Sequence, residues 1–177
     1  IVLSAVTVLA AGCCSESSSP VSTATQAPQD AVQSTSSAAS GGSSAAFAKV
    51  MSASVMTMKK NWDADAEDDG IVVFPSLKDA AGETVKWSGA TLPVDIEIWT
   101  TEMDANYKDQ KDQLVYKGSG TIDSWEDGNF LLGQGIRVPF EQMKVPSGET
   151  MGWVYAKVHT PDGKIYEGVE KLASITP

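Results

Sequence analysis

The chain has 177 residues, with 13 basic side chains against 23 acidic ones, a formal net charge of −10 and a single histidine. That balance argues against a nucleic-acid partner and against docking on anionic lipid headgroups, both of which need a basic surface. The two cysteines are adjacent, so the rest of the chain is held by packing rather than by disulfides.

Residues 1 to 12 (IVLSAVTVLAAG) are uncharged, mostly aliphatic and end in small side chains. They read as the h-region of a secretory signal and are too short to span a bilayer as a helix. No Lys or Arg precedes Lys49, so the basic n-region of that signal is expected to be missing. The stretch Leu9-Ala10-Ala11-Gly12-Cys13 resembles the lipobox of prokaryotic lipoproteins. The resemblance implies that Cys13 is lipidated and becomes the mature N-terminus, with Gly12 directly before the cleaved bond. Choosing Cys14 instead would put a cysteine at that position, which fits the pattern less well. The competing reading is a disulfide or metal-binding pair. Adjacent cysteines bond to each other only with strain, and a metal site needs further ligands nearby. The expected location is the cell membrane, through a lipid anchor facing outside the cytoplasm.

After Cys14 the composition changes abruptly. Residues 15 to 46 are dominated by Ser, Ala, Thr and Gln, with no aromatic residue and two charges. Such a tract cannot bury enough apolar surface to offset its ordering entropy, and it is expected to be a disordered tether from residue 13 to 46. Its mean reach, about 30 Å, would hold a domain clear of the headgroups. The domain follows at residues 47 to 177, where 13 basic and 21 acidic side chains leave a net charge of −8.

Within this domain the apolar residues recur at period two. In PVDIEIWT (93 to 100), Val94, Ile96 and Ile98 share one face and Asp95, Glu97 and Trp99 the other, which predicts a half-buried strand. Similar runs are Val55 to Trp62, Ile71 to Phe74, Thr84 to Trp87, Leu114 to Ile122, Gly135 to Phe140, Met151 to Thr160 and Lys164 to Ala173. Turn signals separate them, the clearest being Pro161-Asp162-Gly163 between the last two. Ala45 to Met51 is expected to form a helical turn or two before the first strand, and Asp104 to Gln113 a polar loop. Seven or eight short strands in 131 residues predict an all-β fold, two antiparallel sheets packed as an immunoglobulin-like or fibronectin-III-like sandwich. The Cys-Trp-Cys framework of true immunoglobulin domains is absent, so the likeness is one of architecture.

Three groups of residues offer chemistry. Asp65, Glu67 and Asp69, followed by Gly70, alternate as oxygen ligands around calcium do. The EF-hand reading fails, because Ser76 stands where a bidentate Glu is required and the flanks read as strands. A calcium-binding structural module at 63–70 is therefore the alternative to an ordinary solvated loop. The second group is aromatic. Alternation puts Trp99 on the Asp95 and Glu97 face, and puts Trp153, Tyr155, Lys157 and His159 together opposite Val154, Ala156 and Val158. Exposed rings beside polar groups suit a carbohydrate or protein ligand, whereas covered rings are packing. The third group, Met51, Met56 and Met58 with His159, matches the soft ligands of Cu(I), but Met56 and Met58 stand at strand spacing with Trp62 as core residues do.

No nucleophile elbow, phosphate-cradling loop or cysteine nucleophile occurs in residues 47 to 177. The sequence is thus read as a lipid-anchored, non-catalytic module with a binding surface and no cofactor, calcium excepted; an enzyme is the further alternative, because paired carboxylates for glycoside hydrolysis are defined by their separation in space.

Overall fold

The computed structural model describes residues 41–63 and 65–177. The signal-like segment, Cys13, Cys14 and the tether as far as residue 40 lie outside the described residues. In chain order the elements are α1 (Gly41–Phe47), β1 (Ser52–Lys60), β2 (Gly70–Lys78), β3 (Ser88–Met103), β4 (Asp109–Ser124), β5 (Ile136–Pro139), a 3₁₀ turn (Phe140–Gln142), β6 (Met151–His159) and β7 (Ile165–Ser174). The seven strands among the described residues form two antiparallel sheets, one ordered β1-β2-β5 and the other β4-β3-β6-β7. This is the all-β sandwich that the alternation predicted.

The core is where the two inner faces meet. On β3, Val94, Ile96 and Ile98 are fully buried, as are Val154, Ala156 and Val158 on β6. They pack in one cluster with Ile71, Val73 and Leu77 of β2 and with Val138 of β5. Each of the Val, Leu and Ile side chains contributes about 1.5 to 3 kcal/mol on burial. The β6–β7 hairpin turns where Pro161-Asp162-Gly163 predicted it, with Gly163 at φ 80° and its N–H donating to Thr160 O at 2.9 Å.

Four expectations are corrected. The helix lies at Gly41–Phe47 rather than Ala45 to Met51, because Phe47 is buried with its ring 5.6 Å from that of Trp87, while the N–H of Met51 already pairs with Lys78 O. Thr84 to Trp87 is no strand. It makes one bridge, Lys78 to Thr84, and then crosses the end of the core with Val85 and Trp87 buried. The polar loop is shorter than Asp104 to Gln113: Thr101, Glu102 and Met103 pair with Lys111, Gln110 and Asp109, so the hairpin runs on to a turn at Asp104. There Asp104 Oδ1 accepts the N–H groups of Asn106 and Lys108, which hold its carboxyl below its ordinary value, Lys108 contributing most. Backbone pairing of an exposed ribbon needs no apolar alternation, and so the sequence pattern gave no sign of it.

The fourth correction concerns Met56 and Met58, which are 43% exposed instead of core. They stand opposite Phe74 and Val72, on the outer face of the three-stranded sheet. β2 is buried on both faces because the 125–135 segment lies over it, Ser76 Oγ donating to Gly128 O at 2.7 Å, and this cover stops short of the two methionines.

At the open side of the sandwich β1 packs against β7. A Cβ placed on Gly168 would lie 2.9 Å from Ser54 C, and Tyr166 Oη donates to Val50 O at 3.1 Å. Glu170 stands opposite Val154 and so points inward at this seam, its Oε2 buried without a hydrogen-bond partner. Burial raises its carboxyl above the ordinary 4.5, while hydrogen bonding with Thr57 opposes the shift. An acid whose folded pKa is raised binds more protons folded than unfolded, so its contribution to stability falls as pH rises from below 4.5 through the folded value. Glu170→Gln is therefore expected to be neutral at about pH 4 and more stable than the parent at about pH 7. Denaturant midpoints of both proteins at the two pH values check this, and a variant that is less stable at the higher pH would refute it.

Candidate binding face

The outer face of the four-stranded sheet is built by the register of its two central strands. β3 and β6 pair so that Asp95 stands opposite Lys157, Glu97 opposite Tyr155 and Trp99 opposite Trp153. The flanking strands add Leu114 beside Trp99, Lys117 beside Glu97, Val169 beside Tyr155 and Glu167 beside Lys157. Of the rings predicted to share a face, Trp99 and Trp153 are thus direct cross-strand neighbours, and Tyr155 follows Trp153 two residues on along β6. Those of Trp153 and Tyr155 lie 6.3 Å apart at 47°.

Exposure differs from the sequence expectation. Trp153 is 8% exposed and Tyr155 9%, and Trp99 is half-buried. Lysines from the flanking strands cover the rings. Lys111 Nζ sits 3.5 Å from the Tyr155 ring centroid and 5.1 Å from that of Trp99, and Lys171 Nζ lies 4.3 Å from that of Trp153. A lysine keeps its ammonium wet while its stem lies along apolar surface, and the ring quadrupole attracts the charge. The sequence reading missed both residues. Lys111 fell in the expected polar loop, and Lys171 precedes a bulge at Leu172 (φ 63°), which breaks the alternation that would have placed it.

Polar groups rim the rings. Lys117 Nζ pairs with Glu97 Oε1 at 3.0 Å, Lys157 with Glu167 at 3.6 Å, and His159 Nε2 lies 2.8 Å from Asp95 Oδ2. The Lys117 hydrogen bond is the main cause holding the Glu97 carboxyl below its ordinary value, with a small contribution from the Trp99 indole. Burial raises the Tyr155 hydroxyl, and Glu167 adds to that shift. Two donors remain. Nε1 of Trp99 and Nε1 of Trp153 are both buried without a well-formed hydrogen bond. A buried donor left in that state costs about 1 to 3 kcal/mol.

The other candidate groups are placed differently. In the acidic loop the carboxylates turn to the chain itself: Asp63 Oδ1 accepts the N–H of Asp65, Asp65 Oδ1 that of Glu67, and Asp69 Oδ2 those of Trp62 and Asp63. No three His, Cys, Asp or Glu side chains among the described residues are grouped so as to hold a metal ion. Met56 and Met58 lie on the outer face of one sheet and His159 on the outer face of the other, so the sandwich keeps them apart. No helix among the described residues is long and apolar enough to cross a membrane. Comparison with models of protein families, with curated proteins and with solved structures found no match for this chain.

Proposed function

We propose that the protein is a non-catalytic binding module, held to the outer surface of the cell membrane by a lipid on Cys13 and presenting the outer face of its four-stranded sheet to a carbohydrate or protein ligand. The observation that carries the binding role is the β3–β6 register, which gathers Trp99, Trp153 and Tyr155 into one patch rimmed by Lys157, His159, Asp95 and Glu97. Flat apolar area beside fixed polar groups is what a specific ligand needs from a shallow surface. The strand order supports a fibronectin-III-like variety of the sandwich: β4 pairs with β3, whereas in an immunoglobulin constant-type domain the fourth strand pairs with the fifth.

The anchor rests on the sequence from Leu9 to Cys13 and on the polar tract after it. Cys13→Ser is expected to move the protein from the membrane fraction to the soluble one, and Cys14→Ser to leave it bound. Fractionation of cells expressing each variant checks this; a Cys13→Ser protein that stays with the membranes ends the lipoprotein reading.

A further inference from the structure

The rings of the binding face leave a chemical signature beyond their shape. Three carboxylates on this face already have partners: Glu97 has the Lys117 ammonium, Glu167 has that of Lys157, and Asp95 Oδ2 lies at hydrogen-bond distance from His159 Nε2. Lys111 and Lys171 have no carboxylate within ion-pair distance among the described residues, and each lies over a ring instead. Beneath them are the two buried indole N–H groups, Nε1 of Trp153 without an acceptor and Nε1 of Trp99 without a well-formed hydrogen bond, engaged weakly by Glu97. These four groups, two ammoniums paired only with rings and two N–H without well-formed hydrogen bonds, are all donors. A ligand that completes them must bring acceptors, and negative charge satisfies ammonium and N–H together. The face is basic at its centre in a domain whose net charge is −8, with 13 basic and 21 acidic side chains in residues 47 to 177.

We infer that the ligand of this face is a carboxylated sugar chain, its sugar faces stacked on Trp99, Trp153 and Tyr155 and its carboxylates held by Lys111, Lys171 and the indole N–H groups. The inference rests on the proposed binding role of the face and specifies its ligand. A sugar chain fits better than an acidic peptide because the rings stand on β3 and β6, the two central strands, whose backbone groups are taken up by neighbours on both sides. Strand addition, the usual way a sheet takes a peptide, is available at an edge and not here. A peptide laid across the rings would leave its own amides facing apolar surface, whereas sugar hydroxyls at the rim stay in water. Binding requires Lys111 and Lys171 to swing from the rings to the carboxylates, a rotamer change of exposed side chains.

The test titrates the full chain with oligogalacturonate, with its methyl ester, and with poly-glutamate, following heat by calorimetry and the tryptophan fluorescence. The acid is expected to bind at least about tenfold more tightly than the ester, and more weakly as salt is raised. Replacing both Lys111 and Lys171 by Gln should remove that advantage, so that acid and ester bind alike, with melting temperatures confirming that the variant is folded. Trp99→Phe, which keeps a ring and loses the N–H, should weaken the acid more than the ester. Equal binding of acid and ester overturns the carboxylate assignment while the aromatic face stands. Poly-glutamate bound as tightly as the acid, with the same dependence on Lys111 and Lys171, makes the occupant an acidic peptide and overturns the sugar. Failure of the acid to bind at all overturns it too. Acid binding that Trp99→Ala and the lysine variant leave intact overturns the binding face itself, since the ligand then sits elsewhere.

Discussion

Trp153→Ala is expected to lower the unfolding free energy by about 3 to 5 kcal/mol, the range for a buried tryptophan, although the residue stands on the outer face of its sheet. The reason is its cover. Trp153 is 8% exposed, between Tyr155 on its own strand and the Lys171 ammonium above it, so truncation leaves a hollow that a flexible lysine fills poorly. Trp99 is half-buried, with its Lys111 neighbour more distant at 5.1 Å, and Trp99→Ala is expected to cost about 1 kcal/mol. Denaturant melts of the two variants give both values. The contrast would make Trp153 the floor of the binding face and Trp99 the ring a ligand reaches with least rearrangement. A loss of several kcal/mol in both would instead make the whole strip a packed layer, and the proposed binding role would fall with it.

The second large effect is steric. Gly128→Ala is expected to cost about 3 kcal/mol, because a Cβ at this buried position would lie 1.9 Å from Pro75 O and 3.0 Å from its carbonyl carbon. Both atoms are backbone of β2, which cannot turn aside as a side chain can. Relief comes only by lifting the 125–135 segment away, which breaks the Ser76 to Gly128 hydrogen bond and uncovers Val72 and Phe74, now 0% and 4% exposed. Gly82→Ala is the control: nothing lies within 4 Å of its Cβ, and only its φ of 82° resists the change. That strain is about 1 to 2 kcal/mol. Chemical denaturation of both variants separates the two causes. If Gly128→Ala were the milder change, the segment would not be seated on β2 as described.

Period-two alternation by itself determined the fold class and the division of the central strands into faces. Val94, Ile96 and Ile98 are buried, and Trp99, Trp153 and Tyr155 share the opposite face, because successive side chains of any strand must point to opposite sides. The Pro161-Asp162-Gly163 turn was legible for an equally local reason, since few residue pairs fit its dihedral angles. Strand partners are another matter. That β6 lies beside β3, and so sets Trp99 against Trp153, depends on contacts more than fifty residues apart, which no local pattern encodes. Whether an outward side chain is also exposed depends on what lies over it. Lys111 and Lys171 cover the rings of one sheet and the 125–135 segment covers Val72 and Phe74 of the other, while Met56 and Met58 beside them stay open. Alternation fixes the direction in which a side chain points; the covering layer comes from distant parts of the chain, and only the folded arrangement brings it there.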